Sequence, residues 1–247
     1  MAPRVVVVSL ASDFGCQVQL TNMEDDLLDV LGLMDLTYWQ LASSGHMPDA
    51  YDVAIIEGAV TTTEHVELLK DVRSKAAAVV AIGTCAVTGG IPALANTAGL
   101  ETRYATVYGG GVAVAPGRIA PAPIDSIIDV DYHVPGCPID TAEFLRGLSR
   151  VLQGLSDHMP DQMMCASCKV SENACFLEVG TVCLGLVTRA GCKAKCPSLG
   201  RPCTGCRGIA PDANLASARE VFARYGCDPA SLASSLLVYN TAAEVTA

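Results

Sequence analysis

Eight cysteines fall between residues 165 and 206: Cys165, Cys168, Cys175, Cys183, Cys192, Cys196, Cys203 and Cys206. Packing gives a globular segment no reason to use so many sulfurs in so short a run. They are needed where an inorganic centre replaces part of the core. Four thiolates hold one iron–sulfur cubane, so eight hold two, and the pattern implies an electron carrier. Two four-thiolate zinc sites can use the same residues, because CxxC pairs serve both metals. Disulfide frameworks belong to short secreted chains, and this chain has 247 residues. It opens MAPRVVVVSL, with no basic leader, no twin arginine and an apolar run of only Val5 to Val8. That opening predicts a cytoplasmic protein.

The chain before these cysteines reads as strands alternating with helices. Strands are expected at 4–10, 36–41, 52–57, 77–82 and 127–132, the first a β-branched run of the kind buried on both faces. Helices are expected at 22–34, capped by Asn22, and after a capping box at Thr61 to Glu64, with Val66, Leu68, Leu69 and Val72 on the apolar face. A further helix is expected at 139–152, with Pro138 in its first position. Residues 90–125, rich in Gly, Pro and Ala, read as looser chain. Helices at 212–225 and 229–239, the second opened by Asp228 and Pro229, form a tail. The pattern predicts an α/β fold: a flavodoxin-like doubly wound parallel sheet over 1–157, then an irregular two-cluster iron–sulfur domain with a helical tail over 158–247.

Ligands of such sheets bind beyond the carboxyl ends of the strands. Cys16, Cys85 and Cys137 follow the first, fourth and last predicted strands, and each lies near a helix start. Pro135 and Pro138 bracket Cys137 and stiffen its turn. One cysteine in such a place is usually a buried small hydrophobe; three at equivalent points suggest one shared site. A third cubane then needs a fourth ligand, and Asp13 stands where a CxxC pair with Cys16 would have its first cysteine. Carboxylate is harder than thiolate but binds iron. Against this stands an ordinary turn carboxylate. Cys227 is left as a structural thiol, and His46, His65, His133 and His158 are too scattered to be ligands.

Net charge is −10, which argues against nucleic acid. Residues 159–210 nevertheless carry six cations against three anions, so the remainder carries −13. Cations among cysteines suit clusters, whose thiolate-bound cubes are anionic; solvated loop charge is the plainer reading. No apolar run reaches the roughly 18–20 residues of a membrane span.

Taken together, Gly15-Cys16-Gln17, Ile56-Glu57-Gly58, Gly83-Thr84-Cys85-Ala86 with Gly89-Gly90, Pro135-Gly136-Cys137-Pro138, Cys165-Ala-Ser-Cys168, the Cys183–Cys192 run and Pro202-Cys203-Thr-Gly-Cys206 resemble the small, electron-transfer subunit of cytosolic [NiFe]-hydrogenases. The resemblance covers about residues 4–210. It implies three [4Fe-4S] clusters: a proximal one on Cys16, Cys85, Cys137 and Asp13, a medial one on Cys192, Cys196, Cys203 and Cys206, and a distal one on Cys165, Cys168, Cys175 and Cys183. The eight can also interleave, as in two-cluster ferredoxins. Asp13 replaces the cysteine of the family's common pattern. The nickel ligands would lie on a separate large subunit, and electrons would leave to a flavin- or iron–sulfur-containing partner linked to F420, NAD(P) or a heterodisulfide reductase. Glu57 is a candidate proton relay, or a strand-end carboxylate satisfied by backbone donors.

Three rivals stand against this. A complex I-type quinone-reductase subunit resembles the chain near the strand ends, but has adjacent cysteines at the first motif and no eight-cysteine extension. A zinc-stabilised scaffold leaves Cys16, Cys85 and Cys137 unexplained. A flavodoxin-like FMN binder would need a Ser/Thr-rich phosphate loop after the first strand. Few long apolar residues lie within 160–210, so folding there is expected to depend on metal.

Overall fold

The computed structural model describes residues 2–23, 25–42 and 44–241, with the backbone alone at 25–27. Five strands, β1 (Arg4–Ser9), β2 (Asp35–Trp39), β3 (Val53–Glu57), β5 (Ala78–Ile82) and β7 (Tyr132–Val134), form one sheet in the order β2-β1-β3-β5-β7, every neighbouring pair parallel. This is the flavodoxin order. Two more strands, β4 (Val60–Thr62) and β6 (Arg118–Ala122), make an antiparallel ribbon beside it.

Alternation along the strands divides the core. Val5, Val7, Val53, Ile55, Val80, Ile82 and Val134 face one side, against α1 (Gly15–Thr21), α2 (Asp25–Leu33) and α6 (Thr141–Leu152) through Leu20, Val30, Phe144 and Leu148. Val6, Val8, Ala54, Ile56, Val79 and Ala81 face the other, against α3 (Thr63–Lys75) and α4 (Gly83–Thr88) through Leu69, Val72 and Ala86. Burying each large aliphatic or aromatic side chain contributes about 1.5–3 kcal/mol, so a sheet covered on both faces is a stiff base for the turns at its end.

Several boundaries differ from the sequence reading. The helix expected at 22–34 is two helices, and Asn22 caps the carboxyl end of α1, its N–H bonding the carbonyl of Val18. Residue 24 lies outside the described residues. The cap of α3 is Thr62, whose hydroxyl accepts from the His65 amide at 3.1 Å, one residue later than the expected box at Thr61. The strand expected at 127–132 is the short β7, since Ile124–Ser126 forms a 3-10 turn that buries Ile124 and Ile128. Asp140 caps α6, so Pro138 precedes it. The loose segment contains α5 (Leu100–Tyr108), none of whose side chains is buried.

Beyond α6 lie α7 (Met164–Val170), α8 (Lys195–Ser198), α9 (Leu215–Arg224) and α10 (Ser231–Asn240). Phe222, Leu232 and Leu236 from the last two pack on Leu177, Leu184 and Val187 of the cysteine-rich stretch. That stretch is poor in long apolar residues, and the tail supplies them. Cys227 is buried in the same cluster as a structural thiol. Among the described residues no helix is long and apolar enough to cross a membrane.

Candidate iron–sulfur sites

Register levels the strand ends. Ser9 pairs with Glu57, Glu57 with Ile82 and Ile82 with Val134, so the turns carrying Cys16, Cys85 and Cys137 leave the sheet along one row. Cys16 is the second residue of α1 and Cys85 the third of α4, while the Cys137–Pro138 bond is cis before α6. The amide of Thr84 donates to the Gly136 carbonyl at 2.9 Å and ties two of these turns together. Gly83 has φ +84°, and a Cβ there would lie 2.5 Å from Cys16 Sγ; one on Gly90 would lie 3.1 Å from Cys85 Sγ. The sulfurs thus face backbone that carries no side chain, which leaves room around them.

A buried polar network braces this site from behind. Glu57 is 1% exposed. Its Oε1 accepts from the Cys16 amide at 3.0 Å and its Oε2 from Gln17 Nε2 at 2.7 Å. Gln17 Nε2 also donates to Ser9 Oγ at 2.5 Å, and Gln17 Oε1 accepts from Trp39 Nε1 at 2.7 Å. Burial holds the Glu57 carboxyl above the usual carboxylate range, against the donors that lower it. Burial, with Glu57 second, pushes the Cys16 thiol well up, and burial, with Cys137 second, pushes the Cys85 thiol up to about 11. Asp13 is exposed beside Cys16, and its Oδ1 accepts from the Gly15 amide at 2.9 Å.

Cys192, Cys196, Cys203 and Cys206 line one cavity, with Met164 and Arg207. Cys165 and Cys168 lie on α7, and the charges of Cys183, Cys168 and Cys175 all act on Cys165. Gly185 leaves space there, since a Cβ on it would be 3.2 Å from Cys165 Sγ and 3.7 Å from Cys183 Sγ. Burial pushes Cys165 up to about 11, Cys203 to about 12 and Cys206 to about 11. Such thiols stay protonated at neutral pH until a cation displaces the protons.

The three groups touch in sequence. Thr84 Oγ1, next to Cys85, donates to the Cys206 carbonyl at 2.5 Å, and Arg207 Nη1, next to Cys206, donates to the Pro135 carbonyl at 2.7 Å. The Cys203 amide donates to Cys183 Sγ at 3.3 Å. Among the described residues no three His, Cys, Asp or Glu side chains converge on one point as a single-ion site requires. Cube ligands have no such need, because each thiolate of a cubane binds a different iron. Cysteine sets of this kind are the donors that iron–sulfur clusters take. Gln17, Trp39, Thr84, Glu143 and Arg207 complete these sites without having been singled out as site residues by sequence; a signal existed for Gln17, an amide one step from a ligand on a helix otherwise facing the core.

Residues 14–151 match the model of the NADH ubiquinone oxidoreductase 20 Kd subunit family. The chain belongs to that family, in its hydrogenase small-subunit branch. It is 35% identical over 217 residues to sulfhydrogenase 2 subunit delta of Pyrococcus furiosus, covering 87% of this chain and 90% of that one. It is 25% identical over 174 residues to the NAD-reducing hydrogenase HoxS subunit delta of Cupriavidus necator, over 65% of this chain and 83% of the other. A chain of the NAD+-reducing [NiFe]-hydrogenase superposes with TM-score 0.55 at 31% identity, covering 65% of this chain and 96% of that one. A [NiFeSe]-hydrogenase chain from Dm. baculatum, 18% identical with TM-score 0.59, shares the fold. The family model stops before Cys165, whereas a match over 87% of this chain leaves too few residues outside it to miss the whole of 165–206.

Proposed function

We propose that this chain is the electron-transfer subunit of a cytoplasmic [NiFe]-hydrogenase, holding three [4Fe-4S] clusters. Residues 1–157 would carry the proximal one on Asp13, Cys16, Cys85 and Cys137. Residues 158–247 would carry the medial one on Cys192, Cys196, Cys203 and Cys206 and the distal one on Cys165, Cys168, Cys175 and Cys183. Bound clusters supply one-electron storage. This chain's cysteines and Asp13 would hold them, and backbone amides such as that of Cys203, which donates to Cys183 Sγ, would hydrogen-bond the ligand sulfurs.

The observation that carries the reading is that the three thiol groups are tied to one another, Thr84 beside Cys85 bonding the Cys206 carbonyl and the Cys203 amide bonding Cys183 Sγ. The relatives are hydrogenase subunits, so H2 chemistry would take place on a [NiFe] large subunit beside the proximal group, with a flavin- or iron–sulfur-containing subunit accepting electrons. Glu57 is the buried carboxyl behind the proximal group. Its two oxygens already have donors, which favours a bracing role over a proton relay.

Anaerobic purification tests the proposal. About twelve irons and twelve sulfides per chain are expected, with a large subunit co-purifying. A colourless protein carrying zinc would overturn it.

A further inference from the structure

Arg207 follows Cys206 directly, and its side chain is 1% exposed. Nε donates to the Ala190 carbonyl at 3.0 Å, and Nη1 to the Pro135 carbonyl at 2.7 Å. Nη1 and Nη2 grip the two oxygens of Glu143 at 2.5 and 2.6 Å, a bidentate fork. The three acceptors come from separate places. Pro135 opens the turn that carries Cys137, Glu143 lies in the first turn of α6, and Ala190 is two residues before Cys192.

The surroundings are shaped for this fork. A Cβ on Gly191 would lie 2.1 Å from Arg207 Nη2 and 2.6 Å from Glu143 Oε1. Buried ion pairs are poor sources of stability, since apolar residues of similar volume often serve as well. What this pair does that an apolar pair cannot is fix two backbones at defined points and place a cation next to Cys206.

We infer that Arg207, gripped by Glu143, is a positioning residue that holds the Cys137 turn against the turns of Cys192 and Cys206 and so sets the gap between the Cys16/Cys85/Cys137 group and the Cys192/Cys196/Cys203/Cys206 group. The inference rests on the cluster reading above. The step it serves moves one electron, oxidising the first site and reducing the second, with no proton and no bond transferred. The gap governs how fast the electron crosses.

The test uses the whole hydrogenase complex, reduced and examined by EPR, with metal analysis. Wild type should show magnetic coupling between the two reduced sites. In R207M/E143M the pair becomes apolar and the fold should survive. The variant should keep about twelve irons and lose the coupling. R207K, which keeps the charge but not the planar fork, should lose the coupling too. Gly191→Ala, which forces the fork apart without changing any charge, should also lose the coupling and serves if the double variant fails to fold. Wild-type coupling in a folded, iron-replete double variant or Gly191→Ala protein would overturn the clamp. Absence of iron from wild type would instead sink the cluster reading on which the clamp stands, and metal analysis tells the two failures apart.

Discussion

The backbone amide of Cys203 donates to the sulfur of Cys183 at 3.3 Å, across 20 residues of chain. On the proposed assignment a ligand turn of the medial site therefore props a ligand of the distal one. Replacing Cys183 by Ala should remove the Cys165/Cys168/Cys175/Cys183 cluster and lower iron from about twelve to about eight per chain. The other two clusters should keep their EPR signals. Unchanged iron content would show that Cys183 binds none.

Gly83 offers a sharper probe of the first group. It has φ +84°, and its missing Cβ would sit 2.5 Å from Cys16 Sγ. Gly83→Ala should cost about 1–3 kcal/mol from overpacking, with a further roughly 1–2 kcal/mol from the left-handed backbone. Thermal melting and iron analysis should record both lower stability and loss of the first cluster. Gly99 is the control: φ is +76° with nothing within 4 Å of its Cβ position. Gly99→Ala should show the backbone cost without iron loss, and equal iron loss in both would refute a role for the Gly83–Cys16 contact.

Asp13 accepts from the Gly15 amide and lies beside Cys16. If its carboxylate also holds an iron, Asp13→Ala should convert the first cubane to a three-iron centre with its own EPR signature, and Asp13→Cys should restore the cubane. A fully loaded cubane in Asp13→Ala would leave the residue as a turn former alone.

His65 gives the fold a dependence on pH. Burial holds its imidazole below the ordinary value of 6.5, with Arg118 adding to the effect. Its Nδ1 faces the Thr61 amide at 3.3 Å. The unfolded chain therefore binds a proton more readily than the folded one. By linkage the stabilisation is complete above 6.5 and is lost as pH falls below it. Urea titrations at a series of pH values should show this step in wild type and a smaller one in His65→Gln. An unchanged step would assign the dependence to another group.

Much of this was legible in the residues. Continuous apolar runs such as Val5–Val8 marked strands buried on both faces, and the three outlying cysteines fell at strand ends because parallel sheets place every crossover turn at the same edge. What escaped was non-local. The lone helix α5 buries nothing, so no amphipathic pattern announced it. The β4–β6 ribbon pairs Val60 with Ala122 across the loose segment, a register no local periodicity encodes. Arg207 read as one of six loop cations because its partner Glu143 is 64 residues away. The cysteine-rich stretch read as lacking a core because Phe222, Leu232 and Leu236 follow it in the chain.

The last described helix reaches back to the first domain. Thr88 Oγ1 donates to the Tyr239 carbonyl at 2.6 Å, and Asn240 Nδ2 donates to the Gly205 carbonyl at 3.2 Å. All twelve cysteines precede this brace in the chain, the last of them, Cys227, only four residues before α10 begins. A polypeptide truncated ahead of α10 would therefore lose the brace while keeping every thiol, and would leave those thiols open to oxidation.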